Sequence, residues 1–172
     1  TINATHAYLF EHHVGADEVA YSSLKYEWAA AGYPNDFDDP YYQTPTPLRL
    51  DENSTDYSLR QGNIFMGNSS TFHPFEKERL IRMGVIAMVE LPLFVDGKWW
   101  GTFGFDDFEN ERECSSAEVD ALKIAAGILS AAIQRQKADA AVQESERIYR
   151  QAIESADAVP YYQDYESGKY LF

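Results

Sequence analysis

The sequence predicts an α+β fold: a central antiparallel β-sheet flanked by helices, with a long helix toward the C-terminus. Three observations carry this. Gly84–Asp107 reads as two apolar runs joined by Asp96-Gly97, a dipeptide that tolerates the positive φ angles of a two-residue hairpin turn. Ser115-Ser116-Ala117-Glu118 is a capping box, with an N-cap serine and a glutamate three residues on, and no proline follows until Pro160. Between Ala29 and Asn53 periodicity disappears and four prolines collect, which marks a long loop of the functional or mobile kind.

Taken in order, Thr5–Val14 and Val19–Trp28 read as two strands joined at Gly15. Tyr41 and Tyr42 lie in the long loop. Asp56–Gln61 suits a short helix ended by Gly62, and Asn63–Met66 a short strand. Pro74–Met83 predicts a firmer helix, with proline in the first turn and Gly84 at C′. The first strand of the central hairpin is apolar except for Glu90, as a strand covered on both faces should be. In the second, alternation puts Trp100, Thr102 and Gly104 on one face and Trp99, Gly101 and Phe103 on the other. In the terminal helix Val119, Leu122, Ala126, Leu129 and Ile133 form a seam able to cover the sheet. A shifted seam through Ala138, Ala141, Ser145, Ile148 and Ala152 reads as a parallel dimeric coiled coil.

Composition narrows the function classes. The net charge of −14 argues against nucleic acid or an anionic membrane surface as partner. No apolar run is long enough to cross a bilayer, and a single cysteine, Cys114, fits a reducing, cytoplasmic setting. Twelve Tyr, ten Phe and three Trp supply aromatic surface of the kind that lines both cores and pockets.

Leu91-Pro92-Leu93 before the hairpin, Trp99-Trp100-Gly101, Gly104-Phe105-Asp106-Asp107 and the Ser115-Ser116-Ala117-Glu118 helix start together resemble the second half of a GAF domain. The likeness is to GAF modules of multidomain sensor histidine kinases. Tyr26-Glu27-Trp28 and Phe72-His73-Pro74 fit the same pattern upstream. The resemblance implies a GAF domain over residues 1–133 with its N-terminal helix largely missing, a coiled-coil linker over 134–155, and over 156–172 the start of a PAS domain, whose helical entry Ser145–Ala156 resembles. It also implies a piece of a larger signalling protein, with PAS and kinase domains downstream and a cyclase as the other output.

His12 and His13 point to opposite faces of a strand, and His6 and His12 share a face but stand about 20 Å apart, so neither pair has metal-ligand spacing and haem is disfavoured. A covalent bilin needs a pocket cysteine, whereas Cys114 sits just before the terminal helix. The cyclic-nucleotide signature of the family is echoed only at Phe105-Asp106-Asp107. No Ser-His-Asp set is legible, and the Asp106-Asp107 pair reads as a turn former, so catalysis is not expected. The expected pocket lies between the sheet and the segment Tyr41–Phe72, with Tyr42, Phe65, Phe72, His73, Glu90 and Trp100 as wall candidates. For the aromatics, core packing is the competing reading. Glu90, a carboxylate inside an apolar strand, needs a partner such as Arg79 or Arg82, or a polar pocket.

The expectation is thus a sensory module that binds an unidentified small molecule and signals through a homodimeric helix built on Leu122, Leu129, Ile133, Ala141 and Ile148. The competing class is a ligand-free structural dimerisation module.

Overall fold

Asp96 and Gly97, at φ of 52° and 71°, turn the chain between β5 (Ala87–Val95) and β6 (Lys98–Asp107) as the dipeptide predicts. A computed structural model describes residues 4–72, 74–111, 113–155, 162–163, 166 and 170–171. The chain divides into two units, Thr1–Ala131 and Ala132–Phe172.

In the first unit β5 and β6 are inner strands of a six-stranded antiparallel sheet, in the order β3-β2-β1-β6-β5-β4. β1 (His6–Val14) and β2 (Ala20–Ala29) form the other long hairpin; β3 (Thr46–Pro47) and β4 (Phe65–Asn68) are the edges. The short helix α1 (Thr55–Arg60) is N-capped by Ser54, whose side chain accepts from the Tyr57 N–H, and it buries Leu59. Helix α2 (Pro74–Met83) ends at Gly84, which takes the positive φ expected of C′. The predicted long loop is less bare than its composition implied, holding a 3-10 turn at Asp36–Asp38 and strand β3.

Two register shifts reshape the sheet. Leu9 pairs with Tyr26 but Phe10 pairs with Leu24, so Lys25 is an extra residue in β2. Likewise Leu93 pairs with Gly101 but Phe94 with Trp99, which makes Trp100 the extra residue of β6. Beyond each bulge the inside–outside alternation reverses phase. Glu27 therefore shares a face with Tyr8, its direct partner, although simple counting puts it opposite Ser22. Trp99 is likewise brought to the face of Thr102, where it packs edge-on against His12 with ring centres 4.1 Å apart. Strict alternation had given that place to Trp100.

Helix α3 (Ser116–Ser155) starts at the predicted capping box: Glu118 accepts from the Ser115 N–H, and Ser115 Oγ from the Glu118 N–H. Within the first unit Leu122 is only 2% exposed and shares a crevice with Ala87, Val89 and Phe105, on the sheet face opposite Glu90. Ala126 is also buried and Leu129 half-buried. Leu122 thus belongs to the chain's own core, as expected of a seam able to cover the sheet, and that packing competes with the dimer role also given to it. Ile124 and Ile128, absent from the predicted seam, are exposed.

In the second unit the remainder of α3 holds Ile133 half-buried, with Ala141 and Ile148 exposed. Strands β7 (Tyr162–Gln163) and β8 (Tyr170–Leu171) pair antiparallel. Most of the stretch read as the start of a PAS domain lies outside the described residues.

Candidate functional site

Even-numbered residues of β1 and β5, and those of β6 after its bulge, point to one face of the sheet, and with the loop after β2 and helix α2 they line a cleft of about 630 Å³. The floor is aromatic and polar. Tyr8 packs edge-on against Phe10 (5.4 Å between ring centres), Phe10 lies 5.6 Å from Tyr42, and Tyr42 stands 5.1 Å from Tyr41. Gly104, opposite Tyr8, makes room for that floor, since a Cβ there would come within 2.2 Å of the Tyr8 ring. The rim carries charge of both signs, with Arg49 and Asp56 beside the loop and Glu78 and Arg82 on α2. Arg49 is held by Asp51 at 3.2 Å, while its own N–H donates to Asp56 Oδ2 at 2.7 Å.

One end of the cleft opens on a buried ionisable cluster. Tyr8 Oη lies 3.1 Å from Glu90 Oε1 and 3.3 Å from Asp106 Oδ1, and its single proton serves one carboxylate at a time. Burial, reinforced by the charges of Asp106 and Glu90, pushes the Tyr8 phenol well above its ordinary pKa, so it remains a donor. Behind it the wholly buried His6 places Nδ1 3.2 Å from Asp106 Oδ2 and Nε2 2.8 Å from Glu27 Oε1, with Asp36 Oδ2 at 3.9 Å. Burial opposes charge on this imidazole, but hydrogen bonds and charge from Asp106, with Glu27 and Asp36, outweigh it and hold the pKa above the ordinary value. Glu27 also accepts the N–H groups of Asp36 and Phe37, tying the start of the long loop to the sheet.

His12, at the other end, is the reverse case. Its Nδ1 is buried with no hydrogen-bond partner among the described residues, and Nε2 is 3.4 Å from Thr102 Oγ1. Desolvation, with the neighbouring His13 charge, lowers its pKa to about 4, so it is neutral near pH 7.

Of the six wall candidates, Tyr42 and Glu90 line the cleft. Phe72 is buried in a cluster with Leu80, Val85 and Met88, and Phe65 packs against that cluster. Trp100, the extra residue of its bulge, does not line the cleft. His73 and the side chain of Arg79 lie outside the described residues. Sequence reasoning passed over Tyr8, Phe10, Glu27 and Asp36, and treated His6 and Asp106 as structural. The even spacing of Tyr8, Phe10 and His12 was the available signal; the bulge at Lys25 and the loop position of Asp36 hid the others. Cys114 sits with Leu122 on the opposite face, away from the cleft.

Sheet, cleft and covering loop define an α+β domain with an open cleft on one face of its sheet. The chain belongs to the GAF domain family, whose pattern it matches over residues 3–133. It is 29% identical over 136 residues, 79% of this chain, to the methanogenesis regulatory histidine kinase FilI of Methanothrix harundinacea, and spans only 15% of that protein. Two solved folds are similar. The blue-light-absorbing form of the PixJ GAF domain of Thermosynechococcus elongatus superposes with a TM-score of 0.64 at 15% identity, covering 83% of this chain and 81% of that one. A domain assigned to a two-component sensor histidine kinase protein of Sinorhizobium meliloti gives 0.60 at 16% identity, covering 83% and 87%. No helix among the described residues is long and apolar enough to cross a membrane.

Proposed function

We propose that the cleft between the sheet and the loop from Ala29 to Asn53 binds a small molecule, and that occupancy is relayed through α3 to a kinase output in the same polypeptide. The observation that carries this is the cleft itself. Its volume of about 630 Å³ falls in the range of ligand sites, and its aromatic floor and convergent polar groups are what such sites use. The kinase output is supported by the similarity to FilI, and a downstream PAS domain by the residues from Ser145 onward.

The relay needs a partner for α3. Ile124, Ile128, Ala131, Ala138, Val142, Ser145 and Tyr149 fall on one frame of alternating four- and three-residue steps, in which Arg135 occupies the position between Ala131 and Ala138, and the four largest of them are exposed. That spacing is a coiled-coil seam. It supports a parallel homodimer through Ile128, Val142 and Tyr149 in place of the seam first read through Leu122.

The test compares melting temperatures of protein purified under native conditions and of the same protein refolded from denaturant after removal of small molecules. A retained ligand stabilises by mass action, so the native preparation melts higher, and re-adding a heat-cleared extract of the producing cells restores the difference. Identical melting with no response to the extract would overturn the binding reading.

A further inference from the structure

The histidine–carboxylate cluster at the closed end of the cleft holds a coordination geometry as well as a set of hydrogen bonds. With Nδ1 of His6 directed at Asp106, its Nε2 is the nitrogen left to face Glu27 Oε1 and Asp36 Oδ2. Two carboxylate oxygens thus converge on one ring nitrogen. A proton on Nε2 bridges it to Glu27 at 2.8 Å, and Asp36 Oδ2 stands 3.9 Å from the same nitrogen.

We infer that His6 Nε2, Glu27 Oε1 and Asp36 Oδ2 form a binding site for one divalent first-row transition-metal ion. The three ligand atoms all lie within 4.8 Å of one another. Ions bound at about 2.0–2.2 Å hold neighbouring ligand atoms about 3.0–3.5 Å apart. The separations of 2.8 and 3.9 Å from Nε2 bracket that span and the third is no more than 4.8 Å, so shifts of about 1 Å would complete the site. One imidazole and two carboxylates cancel a divalent charge, and this mixed N/O set suits Zn²⁺, Fe²⁺, Co²⁺ or Mn²⁺ over Ca²⁺. Asp106 occupies the outer position, accepting from His6 Nδ1 and fixing the ring as such carboxylates do at metal-bound histidines. His6 and Asp36 are buried, and Asp36 also lines the cleft, so the site borders the open space.

The three ligands come from β1, from β2 beyond its bulge, and from the 3-10 turn of the covering loop, so an ion would lock the loop to the sheet. This goes beyond the small-molecule reading and stands on the cluster alone.

The experiment is a titration of the whole chain, stripped with a chelator, with Co²⁺ followed by visible absorption and with Zn²⁺ followed by calorimetry. One ion per chain is expected. Asp36→Asn, which leaves the backbone tether to Glu27 in place, should abolish the endpoint. Asp106→Asn should weaken binding by about 10- to 100-fold. Glu144→Gln, on the exposed part of α3, should change nothing. A wild type with no saturable endpoint, or a folded Asp36→Asn variant that titrates like the wild type, would overturn the site and leave a proton in its place. Should Asp36→Asn fail to fold, an undiminished endpoint in Asp106→Asn would do the same.

Discussion

His6 on β1 and Glu27 on β2 meet at 2.8 Å with both side chains fully buried, at the point where the bulge of β2 reverses its facing. The contact joins the floor of the cleft to its cover, because the same carboxylate accepts the amides of Asp36 and Phe37. Removing one partner of such a buried pair leaves an uncompensated polar group. Glu27→Ala should therefore cost about 3 kcal/mol or more. Hydrogen exchange should rise in the segment 33–39, while β5 and β6 stay protected up to the lower global limit. Equal loss of protection across the sheet would mean that the contact has no special hold on the loop.

His12 sets a pH dependence whose sign is fixed by its neutral form. Its folded pKa, about 4, lies below the ordinary 6.5, so the unfolded chain takes up a proton first as pH falls. The stability this contributes is complete above pH 6.5 and is lost progressively down to pH 4, on the order of 3 kcal/mol in all. Urea unfolding at pH 7 and at pH 4.5 should show the loss, and His12→Phe should flatten the slope across that window. Thr102 and the Trp99 ring face His12, and His13 acts on it through its charge from the next position in the strand; none of them is an acid that would hold its proton.

Gly104 is the close approach on which the floor depends. Gly104→Ala would drive a methyl group to 2.2 Å from the Tyr8 ring and 2.5 Å from its hydroxyl, displacing it from Glu90 and Asp106. The expected cost is about 1–3 kcal/mol, read as a lower denaturation midpoint, with a change in tyrosine near-ultraviolet dichroism. An unchanged midpoint would show that the ring can move freely.

How far the sequence discloses this architecture depends on whether its periods run unbroken. The hairpin at Asp96-Gly97, the capping box at Ser115 and the proline-led helix α2 emerged with bounds close to those expected, because each rests on local backbone chemistry. Trp99 and Trp100 were misplaced, and Glu27 was passed over, because a one-residue bulge is invisible to alternation and reverses every facing beyond it. Asp36 was missed because its place is set by a backbone tether in a loop without period. Helix α3 was legible on one face: the seam read as able to cover the sheet holds the buried Leu122 and Ala126, whereas the exposed Ile124 and Ile128 on the other face went unread.

That division gives two helix variants opposite outcomes. Leu122→Ala should destabilise the first unit by about 2–5 kcal/mol, as expected of a large-to-small change in a core. Ile128→Glu, at a side chain 65% exposed, should leave thermal stability nearly unchanged at low protein concentration but shift sedimentation equilibrium toward monomer. If Ile128→Glu and Val142→Glu together leave the association state unaltered, the seam is not an interface.

The central claim is that the cleft holds a small molecule, and native mass spectrometry tests it most directly. Wild type and Ser22→Trp, which places an indole in the cleft from β2, would be isolated side by side and measured under native and denaturing conditions. The account predicts a discrete adduct on the wild type that disappears on denaturation and is absent from Ser22→Trp. A bare wild-type mass, or an adduct that Ser22→Trp carries equally, would contradict it.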